Sequence, residues 1–147
     1  MLTNTQNLRS DAGLASALRV SLARLTRRLR TQAARHSLTA TQLATLSAVD
    51  RHEIMTPSEL AEHEKVQPPS MTRVIAKLEE RGLLERRPHP TDRRQVTVTV
   101  TAAGSTLLKE ERRAKEAWLA QRLGELTPAE RAALRAAAPI LEKLSTM

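Results

Sequence analysis

Asp92, Arg93 and Arg94 stand together in the stretch PHPTDRRQVTVTVT, residues 88–101, and their types and spacing suit contact with an acidic partner. Two adjacent guanidinium groups can donate to phosphate oxygens or base edges, and a nearby carboxylate can pair with one of them and hold it extended. A free carboxylate would be repelled by phosphate, so the physical role for Asp92 is intramolecular, pairing with Arg94 or Arg93. The flanking residues say where the cluster sits. Val96, Val98 and Val100 alternate with Thr97, Thr99 and Thr101, a period of two that predicts a half-buried strand. Pro88 and Pro90 stiffen the segment before it and cannot donate ladder hydrogen bonds. The cluster is therefore expected on a protruding, solvated tip.

A second donor-rich group precedes it. Met71, Val74, Ile75 and Leu78 fall at i, i+3, i+4 and i+7, the buried face of a helix. That helix leaves Ser70, Thr72, Arg73 and Lys77 facing outward, with Gln67 just ahead. Hydroxyls, cations and free backbone amides near a helix N-terminus can all meet phosphates or base edges. Ser70 and Thr72 are also candidates for N-terminal capping, which is compatible with phosphate contact.

The composition narrows the partner. Lys and Arg number 24 against 16 Asp and Glu, a formal charge of +8, which suits nucleic acid or an anionic membrane surface. No apolar run is long enough to span a bilayer, and the start MLTNTQNLRSDAG has neither a basic beginning nor an apolar core, so a cytoplasmic protein is expected. With no cysteine, thiolate catalysis and cysteine-based zinc or redox sites are excluded. His36, His52, His63 and His89 show no i, i+3 or i+4 pairing, and His36 and His52 read as helix-end residues. No metal and no cofactor is expected. Trp118 is the only aromatic of the Phe, Trp and Tyr set, so base stacking, the usual device for single strands, is not available. Duplex DNA is the expected partner.

The elements that must position these residues are mostly helices. Thr39 with Gln42, Thr56 with Glu59 and Thr127 with Glu130 each have the spacing of a capping box, the last two followed by proline at the first helical position. Residues 12–36 carry Leu14, Leu18, Leu22, Leu25 and Leu29 as an apolar stripe, opposite a basic face that includes Arg19, Arg24, Arg27, Arg28, Arg30 and Arg35. The run RLTRRLR reads as a solvated helix face rather than a second DNA or membrane contact. Helices follow over 39–51 (Leu43, Leu46 and Val49 inward), 57–65 and 69–81, with Gly82 placed as a left-handed cap. A strand over 83–87, the tip and the Val/Thr strand come next. Helices over 102–123 and 128–145 complete the chain, with Trp118 as a core or dimer contact and Pro139 expected to kink or interrupt the last one.

Helices 57–65 and 69–81 with a brief turn between them have the size and order of a helix-turn-helix, and the hairpin makes it winged. Between residues 65 and 94 cations outnumber anions two to one, whereas the first helix of the pair is acidic through Glu59, Glu62 and Glu64. With the second helix in the major groove, Arg93 and Arg94 would reach an adjacent minor groove, where narrow A·T tracts concentrate negative potential. No glycine-rich phosphate loop, cysteine nucleophile or metal cluster supports an enzyme.

The segment TPSELAEHEKVQPPSMTRVIAKLEERGLLERRPHPTDRRQVTVTVTAAG resembles the MarR family, whose S.TR.I..LE..GL..R..HP.D.R...V.LT..G spacing it follows almost position by position. The Asp92-x-Arg94 pair with Thr101 and Gly104 behind it is the specific part. The resemblance implies a mainly α fold with a small β-hairpin wing, a winged helix-turn-helix flanked by N- and C-terminal dimerisation helices. In a single domain over 1–147, residues 38–101 would form the DNA-binding part, and 8–37 with 102–147 the dimerisation helices. It implies Arg94 as the minor-groove residue, Asp92 as its salt-bridge partner, and Ser70, Thr72, Arg73 and Lys77 on the recognition helix. It also implies a homodimeric, sequence-specific repressor released from a palindromic operator by a small aromatic or phenolic effector. A constitutive or architectural DNA-binding dimer is the alternative. The effector pocket would lie between the dimerisation helices and the winged part, at residues the sequence does not name.

Overall fold

Threonine side chains fix where the helices begin. In the computed structural model, which describes residues 7–33 and 37–147, all three capping boxes form. The Thr39, Thr56 and Thr127 hydroxyls accept from the backbone N–H of Gln42, Glu59 and Glu130 at 3.1, 3.1 and 3.2 Å. The Gln42, Glu59 and Glu130 side chains return the bond to the threonine N–H at 3.0, 3.0 and 2.8 Å. The helices are α1 (Asp11–Ala33), α2 (Ala40–His52), α3 (Pro57–Glu64), α4 (Pro68–Glu80), α5 (Ala102–Gly124) and α6 (Pro128–Ser145). Strands β1 (Leu84–Pro88) and β2 (Val96–Val100) lie between α4 and α5. Arg35 and His36, expected at the end of the first helix, lie outside the described residues. The described residues fall into two compact units, one within Ala34–Arg113 and the other within Met1–Ala33 and Ala114–Met147.

The first unit holds the apolar core. Leu46, Val49, Leu60, Met71, Ile75, Leu78, Leu84 and Val98 are fully buried in it, so the faces expected for the second and fourth helices point inward. The turn between α3 and α4 is made without glycine: Lys65 takes a left-handed conformation (φ 54°) and its N–H closes on Ala61 and Glu62. Gln67 precedes proline and is extended, which ends one helix and starts the next. At the far end of α4, Gly82 (φ 72°) donates to the Glu79 carbonyl at 2.9 Å and Leu83 to the Leu78 carbonyl at 2.9 Å, a complete Schellman cap. Thr101 then clasps this cap. Its hydroxyl donates to the Gly82 carbonyl at 2.6 Å and accepts from Gly104 N–H at 3.1 Å, while its N–H donates to the Leu83 carbonyl at 3.1 Å.

β1 and β2 pair antiparallel from Leu84 opposite Val100 to Pro88 opposite Val96, and Met55 bridges to Val98 on the other side. The expected alternation is only partly realised. Val98 is buried, but Val96 is exposed and Thr97 is buried, its hydroxyl donating to the Arg87 carbonyl at 3.3 Å. The hairpin extends past the core, so its outer end has no apolar surface to alternate against. Pro88 belongs to the strand end rather than the loop.

The second unit is built differently. Trp118 lies with the guanidinium groups of Arg28 and Arg122 at 5.5 and 5.4 Å from its ring centroid. Arg131 donates to the Leu126 and Leu123 carbonyls at 2.7 and 3.3 Å, closing the turn from α5 to α6. Yet no residue of α6 is buried, and Leu14, Leu22 and Leu25 of α1 are all exposed, as are Leu134, Ile140 and Leu144 of α6. Among the described residues these stripes are left uncovered. Pro139 does not interrupt α6, which runs through it as one helix. The ring removes a single donor, and the strong helix formers Ala136, Ala137, Ala138 and Leu141 flank it.

Candidate nucleic-acid interface

The outward face of α4 is set by the burial of the inward one. Because Met71, Ile75 and Leu78 are held in the core, Ser70, Arg73 and Lys77, at i, i+3 and i+7, share the opposite face and are exposed. Gln67 is the N-cap residue and is exposed, with no side-chain capping bond. Neither hydroxyl caps the helix. Ser70 sits three residues in, and Thr72 donates back to the Pro68 carbonyl at 3.0 Å, the usual satisfaction of a mid-helix threonine. Among the described residues Arg73 makes no ion pair, and Lys77 meets Glu80 at 3.5 Å with both side chains mostly exposed. The α3–α4 turn opens a shallow groove beside this face, lined by Ser58, Glu62, Lys65 and Gln67 among others.

The wing tip is a tight, glycine-free turn. His89 N–H donates to the Gln95 carbonyl at 3.3 Å, and inside that closure Gln95 N–H donates to the Asp92 carbonyl at 3.1 Å. Asp92 to Gln95 is thus a β-turn with Arg93 and Arg94 at its two central positions, and neither has a positive φ. Asp92 Oδ1 accepts from Arg94 N–H at 3.0 Å, an Asx-turn that replaces the glycine such a bend often needs. The same oxygen lies 3.5 Å from Arg94 Nε. Of the two pairings open to Asp92, the one with Arg94 forms, and Arg94 keeps a side chain 94% exposed.

Several participants carried no local signal in the sequence. Arg86 Nε donates to Glu79 at 3.0 Å, tying β1 to the end of α4, and Arg87 Nε donates to Glu85 at 2.8 Å. Both arginines are thereby partly neutralised. His89 Nδ1 accepts from the backbone N–H of Thr91 and Asp92 at 3.2 and 3.0 Å. His52 and His63, without helical spacing, bring their rings edge to face at 5.2 Å. Among the described residues no group of three or more His, Asp or Glu is placed to hold a metal ion, and no helix is long and apolar enough to cross a membrane.

Comparison with known proteins gives this geometry a family. Residues 38–96, from the start of α2 to the start of β2, match the family model described as the MarR family. An HTH-type transcriptional regulator of Mycobacterium tuberculosis is 46% identical over 134 residues, spanning 91% of this chain and 94% of the relative. The HTH-type transcriptional repressor MdtR of Bacillus subtilis is 29% identical over 96 residues, 65% of this chain and 62% of the relative. Among solved structures, wild-type MarR from E. coli in its apo form superposes with a TM-score of 0.70 at 26% identity, covering 89% of this chain and 96% of that one. These relatives are named for transcription control rather than for an enzymatic reaction. With near full-length similarity to one regulator and the family model matched across the helix-turn-helix, the chain belongs to the MarR family of HTH-type transcriptional regulators.

Proposed function

We propose that this chain works in the cytoplasm as a homodimeric repressor that reads a palindromic operator and leaves it when a small aromatic or phenolic molecule binds. The observation that carries the DNA-reading part is the tip: Arg94 projects almost fully exposed from a turn that Asp92 braces through both its backbone and its side chain. In this reading the face of Arg73, Lys77 and Ser70 enters the major groove, with Gln67 and Thr72 at its edge, and Arg93 and Arg94 enter the flanking minor groove.

The exposed leucines of α1 and the exposed apolar residues of α6 support a second copy as partner, because a monomer rarely leaves such helix stripes in water. Two-fold symmetry then implies two half-sites about one helical turn apart, roughly 10 base pairs. The repressor sense is supported by the repressor named among its relatives. The effector class rests on family resemblance.

The test is binding to duplexes from the DNA flanking its own gene against scrambled duplexes at about 150 mM salt, titrating aromatic acids and phenols into the complex. A preference of roughly 10³-fold or more that one compound abolishes supports the whole reading. Equal, salt-sensitive binding to both duplexes would leave an architectural DNA-binding dimer. Specific binding that no compound disturbs would leave a constitutive regulator.

A further inference from the structure

We propose that His89, as a neutral imidazole protonated on Nε2, is the positioning residue of the wing, and that taking up a second proton uncaps the tip. The inference rests on the reading of Arg94 as a groove-entering residue. The structural case lies in the direction of the hydrogen bonds. Backbone N–H groups can only donate, and two of them, from Thr91 and Asp92, converge on His89 Nδ1 at 3.2 and 3.0 Å. Nδ1 must therefore be the unprotonated nitrogen, with the proton on Nε2. The Thr91 hydroxyl, 3.4 Å from the same nitrogen, adds a third donor in reach.

The arrangement imitates a helix N-cap, with a side-chain acceptor gathering the amides two and three residues ahead. Pro90, between them, has no N–H to satisfy and a fixed φ that helps set the bend. Asp92 is the shared member of two linked turns: its N–H is held by His89, and its carboxylate holds Arg94. His89 thus reaches Arg94 through Asp92 without touching DNA. A proton on Nδ1 would set one N–H against the two backbone N–H groups, and the imidazolium could accept from neither. Histidine is the side chain that takes up a proton between about pH 5 and 8. The other charged groups of the wing are Asp92, Arg93 and Arg94 at the tip and Glu85, Arg86 and Arg87 on β1.

Asparagine separates the cap from mere bulk, because its carbonyl oxygen can accept the same two amides and does not titrate in this range. The probe is a duplex of about 30 base pairs selected by the wild-type protein from a random pool. Affinity is measured near pH 8 and near pH 5.5 for the wild type, His89→Asn and His89→Ala, with Arg94→Ala as reference. Near pH 8, His89→Asn should bind within about twofold of wild type and His89→Ala roughly three- to tenfold more weakly, the scale of a lost cap. Near pH 5.5, wild type should fall toward His89→Ala while His89→Asn holds its lead.

Long-range ¹H–¹⁵N NMR of the free wild-type protein reads the tautomer without DNA or mutation. Nδ1 should appear unprotonated near pH 8, with the Thr91 and Asp92 amides shifting between about pH 8 and about pH 5.5. A protonated Nδ1, or His89→Ala binding like wild type while Arg94→Ala is weakened, overturns the role of His89 and leaves the wing reading standing. Wild type and His89→Asn sharing one pH profile overturns the proton switch. If Arg94→Ala itself binds like wild type, the wing reading fails and the positioning role falls with it.

Discussion

The same substitution at three glycines should have three different outcomes, and the widest departure is expected at Gly104. A Cβ built there would lie 2.3 Å from the Leu83 carbonyl oxygen, 2.8 Å from Val100 Cγ1 and 3.2 Å from the Leu83 carbonyl carbon. The nearest obstacle is backbone, which cannot swing aside as a side-chain end can. To admit the methyl group, the first turn of α5 must lift from the turn that follows α4. That loosens the bonds from Thr101 to Leu83 and Gly82, at about 1 kcal/mol each. Overpacking against a fixed backbone adds about 1–3 kcal/mol, and the better helix propensity of alanine returns up to about 1 kcal/mol. Gly104→Ala should therefore lose about 2–4 kcal/mol, roughly 6–12 °C in Tm for a chain of this size. Gly82→Ala meets no atom within 4 Å but must hold a φ of 72°, and should lose about 1 kcal/mol. Gly124→Ala meets nothing and needs no unusual φ, and should be neutral or stabilising by a few tenths of a kcal/mol. Urea unfolding at one fixed protein concentration measures all three, since stability of a self-associating chain depends on concentration. A Gly104→Ala protein as stable as its parent would refute the clasp between α5 and the end of α4.

Arg94→Ala should weaken operator binding by about 1–3 kcal/mol and flatten the A·T preference beneath the wing, read by competition among duplexes that differ only in that flank. Asp92→Ala should weaken binding more than Asp92→Asn, because asparagine keeps an oxygen for the Arg94 N–H and gives up only an exposed charge pair worth under about 1 kcal/mol; equal effects would place the function of Asp92 in its charge. Ile140→Glu combined with Leu144→Glu should leave the winged unit folded and drive the protein to monomers in sedimentation, since both side chains are more than half exposed in the single chain. Thr56→Ala removes the hydroxyl that starts α3 and should lower stability by about 0.5–2 kcal/mol in denaturant titration.

Much of the fold was legible because its punctuation is local. A capping box needs only Thr and Gln or Glu three apart, and a Schellman glycine only a helix end, so the helix starts and the Gly82 stop could be read within one or two residues. The face of α4 followed from Met71, Ile75 and Leu78 for the same reason. What escaped were interactions between positions the sequence holds apart. Glu79 meets Arg86 only after the chain has turned at Gly82, and His52 meets His63 only after α3 folds against α2. The His89 cap is close in sequence, but its meaning depends on a turn whose geometry no periodicity announces. Val96 and Thr97 were misplaced because alternation predicts a face, whereas burial depends on whether a core lies beneath it. Pro139 does not interrupt α6: a single lost donor inside an alanine-rich helix is tolerated when the helix is long enough to carry it.

Trp118 gives this protein a single optical reporter. The chain contains no tyrosine and no phenylalanine, so ultraviolet fluorescence comes from one indole, set against Arg28 and Arg122 in the helical unit. The winged unit is dark in that experiment and visible to circular dichroism through its helices. Intrinsic emission therefore watches one unit, whereas ellipticity watches the helices of both. If both traces fall together in denaturant, the two units unfold as one cooperative system; if the emission change is complete while part of the ellipticity remains, the helical unit loosens while the winged unit stays folded. No label or mutation is needed to tell these cases apart.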